Sequence, residues 1–79
     1  MNSDDIKILI ETSIEDAVAE VSSDDNVHFE AIVISQAFRE KSLIQRHQMV
    51  YSSLGDKMQS EIHALSLTTL TPKENLEEF

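Results

Sequence analysis

The chain has 79 residues, with 41% hydrophobic and 27% charged positions, one Gly, one Pro and no Cys. At this size a single domain buries about 60% of its unfolded surface, enough for one thin core, and the missing Cys excludes disulfides, all-thiolate metal sites and a Cys nucleophile. Fifteen acidic residues against six basic ones give a net charge of −9, which opposes phosphate-driven nucleic-acid binding and docking on anionic membranes.

The composition is that of a globular chain rather than a disordered one. No apolar run approaches the roughly 20 residues of a spanning helix. The start, Met1-Asn2-Ser3-Asp4-Asp5, lacks the basic segment of a signal peptide, so a cytoplasmic location is expected.

The first predicted element is a helix from Ser3 to about Ile14. Ser3 is the expected N-cap, and Asp4 and Asp5 suit the positive end of the helix dipole. Ile6, Leu9, Ile10 and Ile14 fall on one face at helical spacing. Ala17 to Val21 reads as a short strand. Ser22-Ser23-Asp24-Asp25-Asn26 is a polar turn cluster. His28 to Ile34 is rich in strand formers, so the two runs predict an antiparallel hairpin.

Residues 35–41 form a connector. Ser42 and Gln45 fit a capping box, and Leu43, Ile44, His47, Val50, Tyr51, Leu54 and Met58 continue at three- and four-residue spacing. Gly55 is expected to break or bend this helix. Ile62 to Leu70 alternates with period two and predicts a third strand, joining either edge of the hairpin. His63, Leu65, Leu67 and Thr69 share one of its faces. Thr71-Pro72-Lys73-Glu74 starts a short terminal helix that frays toward Glu77 and Glu78. The order predicts a single α+β domain over residues 1–79, a small sheet with helices on one face.

Chemistry is sparse. The three titrating candidates near neutrality, His28, His47 and His63, are far apart in sequence. Neither a self-contained metal motif, nor a Gly-rich phosphate loop, nor an activated Ser motif is present, which points away from an enzyme. His63 reads either as a ring packed at a strand end or as an exposed ligand at a sheet edge. His28 reads as an exposed loop-end residue, a position from which a side chain can also reach a shared metal. His47 lies on or beside the apolar stripe, as a hydrogen-bonded structural residue. Arg39, Lys41 and Arg46 form the one basic cluster, near a helix start that could hold an anion; ordinary surface charge is the plainer reading.

The run Phe38-Arg39-Glu40-Lys41-Ser42-Leu43-Ile44-Gln45-Arg46-His47-Gln48-Met49-Val50-Tyr51 resembles the signature of the BolA family. Ile62-His63-Ala64-Leu65-Ser66-Leu67-Thr68-Thr69-Leu70-Thr71-Pro72 resembles its second signature. The resemblance covers about residues 21–72. His before an aromatic residue, His28-Phe29, looks most like the BolA-like branch that includes IbaG. It implies a fold related to the class II KH domain. It also implies an adaptor that pairs with a monothiol glutaredoxin and helps to hold a bridging 2Fe-2S cluster, in cluster trafficking or in iron and stress regulation. The glutaredoxin and its glutathione would supply thiolates, His63 one ligand and His28 the second. A ligating imidazole must lack a proton on the ligating nitrogen, so acid is expected to release the cluster. Without a partner the protein is expected to be a monomer or weak homodimer.

Two positions depart from the family pattern. Glu40 stands where Gly is usual, and Gln48 where Arg is frequent. Glu40 predicts a differently shaped connector, because Gly at a turn usually serves a positive φ. BolA-like proteins are also transcription regulators, which makes a KH-like nucleic-acid binder using Arg39, Lys41 and Arg46 the alternative; both departures make that surface less basic. A module that self-associates through its sheet edge is the third reading.

Overall fold

The computed structural model describes residues 1–60 and 64–77. Its elements are α1 (Ser3–Ser13), β1 (Val18–Ser22), β2 (His28–Ile34), a 3-10 turn (Gln36–Phe38), α2 (Leu43–Leu54), α3 (Lys57–Ser60), β3 (Ala64–Leu70) and α4 (Pro72–Glu77). This is the expected order, with a 3-10 turn added in the connector and a one-turn helix after Gly55.

The helix starts follow side-chain caps. α1 is capped by Asn2 rather than by the expected Ser3. The Asn2 side chain accepts from the Asp5 N–H at 3.0 Å, and Asp5 Oδ2 accepts from the Asn2 N–H at 3.1 Å. A cap at Ser3 would put Ile6 at the third position, where no side chain can return the bond. α2 begins at the Ser42–Gln45 box as read. α4 begins at the matching Thr71–Glu74 box.

β1 and β2 are antiparallel, with Val18 opposite Ile34 and Ser22 opposite Glu30. β3 lies beside β2 and parallel to it, His28 opposite Ala64 and Ile34 opposite Leu70, in the order β1-β2-β3. A parallel neighbour needs a long crossover, and α2 and α3 provide it. Ile6 and Ile10 of α1, its C-cap residue Ile14, Val50 and Leu54 of α2, and Phe38 pack with Ala19, Phe29, Ala31 and Val33 of the sheet. Burying each large apolar side chain contributes about 1.5–3 kcal/mol.

β2 alternates strictly. Phe29, Ala31 and Val33 point into the core, so His28, Glu30 and Ile32 stand on the uncovered face. In β3, Thr69 is buried with Leu65 and Leu67 half-buried, while Ala64, Ser66 and Thr68 are exposed. His63, placed with the first set by its spacing, lies outside the described residues.

Two expectations change. The apolar stripe of α2 is buried only in its second half: Leu43 is 62% exposed and Ile44 71%, whereas Val50 and Leu54 are buried. Periodicity gives the direction of a helix face but not how far the core reaches beneath it. Glu40 does not avoid the conformation a Gly would take there, since its φ is +63°.

Candidate functional site

The site is built on the loop between β1 and β2. Asn26 takes φ +57°, a left-handed conformation that Asn tolerates better than most residues. Ser23 Oγ accepts from the Asn26 N–H at 2.9 Å and donates to the His28 carbonyl at 2.6 Å, tying the loop to the head of β2. Asp25 Oδ1 accepts from the backbone N–H groups of Val27 and His28, each at 2.9 Å. Its other oxygen, Oδ2, lies 2.9 Å from His28 Nδ1.

These bonds hold the Asp25 carboxyl far below the usual carboxylate range, the His28 side chain first and the backbone N–H groups of His28 and Val27 after it. An ionised carboxylate only accepts, so Nδ1 is the donor in this pair. The imidazole side chain is 64% exposed and yet held in orientation by a fixed partner. A sequence pass over single histidines misses Asp25; the signal was Asp-x-x-His across a tight turn.

Across the sheet His28 faces Ala64, and the Ala64 N–H donates to the Val27 carbonyl at 3.3 Å. Ala64 directly follows His63 in the chain. A shallow hollow of about 300 Å³ opens here, with Ser22, Asp25, His28, Glu30 and Ser66 on its rim. Among the described residues no three His, Asp or Glu side chains stand together as a metal site. The site therefore offers an oriented imidazole nitrogen, and the chain has no Cys to add a thiolate.

His47 lies on α2 with its ring edge-on to Tyr51, centroids 6.4 Å apart. Its Nε2 is buried, but the expected hydrogen bond has no partner among the described residues.

The basic cluster comes apart. Arg39 and Lys41 are exposed. Arg46 turns inward, its side chain 12% exposed. Its Nη1 and Nη2 donate to Glu74 Oε1 and Oε2 at 2.6 and 3.2 Å, its Nε to the Lys41 carbonyl at 3.1 Å, and it lies over the Phe38 ring at 6.0 Å. Glu74 is pulled down to about 2, by Arg46 first and by the Thr71 N–H second. The guanidinium thus joins α2 to α4 and does not belong to a surface that could meet phosphates.

Residues 4–74 match the sequence model of a family described as BolA-like protein. SufE-like protein 1, chloroplastic/mitochondrial, of Arabidopsis thaliana is 43% identical over 51 residues, 65% of this chain and 14% of that protein. The DNA-binding transcriptional regulator BolA of Escherichia coli is 38% identical over 47 residues, 60% of this chain and 45% of that protein. The match thus spans less than half of the first curated relatives. The structure of a bolA protein homologue from Coxiella burnetii superposes with a TM-score of 0.87 at 42% identity, covering 96% of this chain and 97% of that one.

Proposed function

This chain belongs to the BolA-like family, and from that premise we propose that it is an iron–sulfur adaptor, partnering a monothiol glutaredoxin and contributing His28 and His63 to a shared 2Fe-2S cluster. The observation that carries the reading is the parallel register that sets His28, already oriented by Asp25, opposite the residue that follows His63. Iron accepts imidazole nitrogen, and the chain has no thiolate of its own to offer. The thiolates come from the glutaredoxin and its glutathione. When bound, the cluster supplies a one-electron redox centre that can be passed to an acceptor or read as an iron signal.

The test is co-expression with a monothiol glutaredoxin, then anaerobic co-purification with iron and sulfide supplied. The expected product is a heterodimer whose visible circular dichroism differs from that of the glutaredoxin homodimer. Absence of a complex overturns the reading.

The similarity to the E. coli relative, a DNA-binding transcriptional regulator, favours a second reading, a nucleic-acid-binding regulator. Arg39 and Lys41 would carry it, in a chain of net charge −9 from which Arg46 is withdrawn into an ion pair. Binding would then fall steeply with salt as counterions are displaced. A chain that binds no duplex at low salt removes that reading.

A further inference from the structure

We propose that Asp25 is the positioning residue of this site: it fixes His28 as the Nδ1–H tautomer and directs ligation through Nε2. The inference rests on the reading of His28 as a cluster ligand and adds the group that makes it one.

The argument starts from the loop. Asp25 is itself held before it touches the ring, because Oδ1 takes the backbone N–H groups of Val27 and His28 at 2.9 Å each. Ser23 Oγ stands 3.3 Å from the same oxygen and also ties down the Asn26 N–H and the His28 carbonyl. One carboxylate oxygen therefore serves the turn, and the other, 2.9 Å from Nδ1, serves the imidazole.

Two consequences follow for a metal. The ring of an exposed histidine samples several rotamers, and Asp25 selects one. An imidazole also exists as two tautomers, and a side chain free in water favours the proton on Nε2. A carboxylate at Nδ1 reverses that preference and puts the lone pair on Nε2. This is the outer-shell arrangement by which carboxylates orient ligating histidines, and its loss typically lowers metal affinity about 10- to 100-fold.

Asn at this position separates orientation from tautomer. Asn has one acceptor oxygen. If that oxygen keeps the two backbone N–H bonds, its NH2 faces Nδ1 and demands the opposite tautomer.

The experiment has two arms. In the first, long-range 1H–15N NMR of the isolated full chain at mildly alkaline pH reads the His28 tautomer. The expected result is Nδ1–H in the wild type and a shift toward Nε2–H in Asp25→Asn, with amide spectra otherwise preserved. In the second, the cluster-bearing complex with a monothiol glutaredoxin is formed from wild type, Asp25→Asn, Asp25→Ala and His28→Ala. Both Asp25 variants should lose the cluster to a chelator at about tenfold lower concentration. A wild-type His28 in the Nε2–H form, or a tautomer unmoved by Asp25→Asn, overturns the inference. A complex sensitive to His28→Ala but indifferent to both Asp25 variants overturns it too while the ligand reading stands. A complex indifferent to His28→Ala overturns that reading and this inference together.

Discussion

Arg46 of α2 holds Glu74 of α4 through two hydrogen bonds, Nη1 to Oε1 at 2.6 Å and Nη2 to Oε2 at 3.2 Å, across 28 residues of sequence. Glu74 Oε1 also accepts the Thr71 N–H that opens α4, so one carboxylate caps a helix and anchors it to its neighbour. Bidentate Arg–carboxylate pairs of this kind are stronger than single surface contacts.

Acid sensitivity follows from that pair. Glu74 lies at about 2 in the folded chain, below the ordinary value of 4.5. A depressed carboxylate stabilises the fold fully above its unfolded-state value, and the contribution is lost as pH falls through the folded one. Urea titrations of wild type and Glu74→Gln, from neutrality down to about pH 2, should show a wild-type advantage that shrinks below about pH 4.5. A difference that stays constant over that range would contradict the assignment.

How much of this was legible differs from residue to residue. The hairpin, the Ser42–Gln45 and Thr71–Glu74 caps and the break at Gly55 lie within a few residues of the side chains that cause them, and all are readable. The parallel seating of β3 is not, because nothing local chooses between sheet edges. Arg46 looked like a surface cation because its partner is remote in sequence. Leu43 and Ile44 looked buried because they continue a stripe whose core ends before them. At the site, His28 was visible as a residue type, while its hold on Asp25 depends on a turn that closes three residues. His63, the ligand implied by resemblance, lies outside the described residues.

Two positive-φ residues should respond with opposite signs. Glu40 sits at φ +63°, where an L side chain costs about 1–2 kcal/mol; Gly would relieve this, less about 0.5–1 kcal/mol for its freer unfolded chain. Glu40→Gly should therefore stabilise by about 0.5 kcal/mol. Gly55 caps α2 at φ +55°, ψ −132°, and a Cβ there would meet nothing within 4 Å. The cost of Gly55→Ala is then torsional, about 1–3 kcal/mol. Shifts of the same sign in urea midpoints would refute this account of the two turns.

The outer edge of β1 is guarded. Ala19 donates its N–H to Glu11 Oε2 at 2.9 Å and accepts from Lys7 Nζ at 2.7 Å, and the two side chains pair with each other at 2.8 Å. Backbone groups that could template another strand are thus occupied by charge from α1. Lys7→Ala/Glu11→Ala should increase self-association in sedimentation runs over rising concentration. A double variant no more associated than wild type at every concentration would show that the pair does not protect the edge.

Phe38 is fully buried in the core, with Arg46 over its ring. Phe38→Ala should cost about 3–5 kcal/mol, a large part of the total stability of so small a domain. Thermal unfolding followed by circular dichroism should show a variant barely folded at 37 °C, roughly the point at which such a loss exhausts a marginal domain. A melting curve close to wild type would mean that this ring does not organise the core.

As proposed, two imidazoles of this chain, His28 and His63, complete a cluster held by a partner. The direct measurement is the visible circular dichroism of the anaerobic complex with a monothiol glutaredoxin, comparing wild type, His28→Ala, His63→Ala and the double variant. Each single substitution should reshape or remove the wild-type cluster bands while the far-ultraviolet spectrum stays unchanged, and the double variant should yield no mixed cluster. An unaltered visible spectrum in the double variant would contradict it.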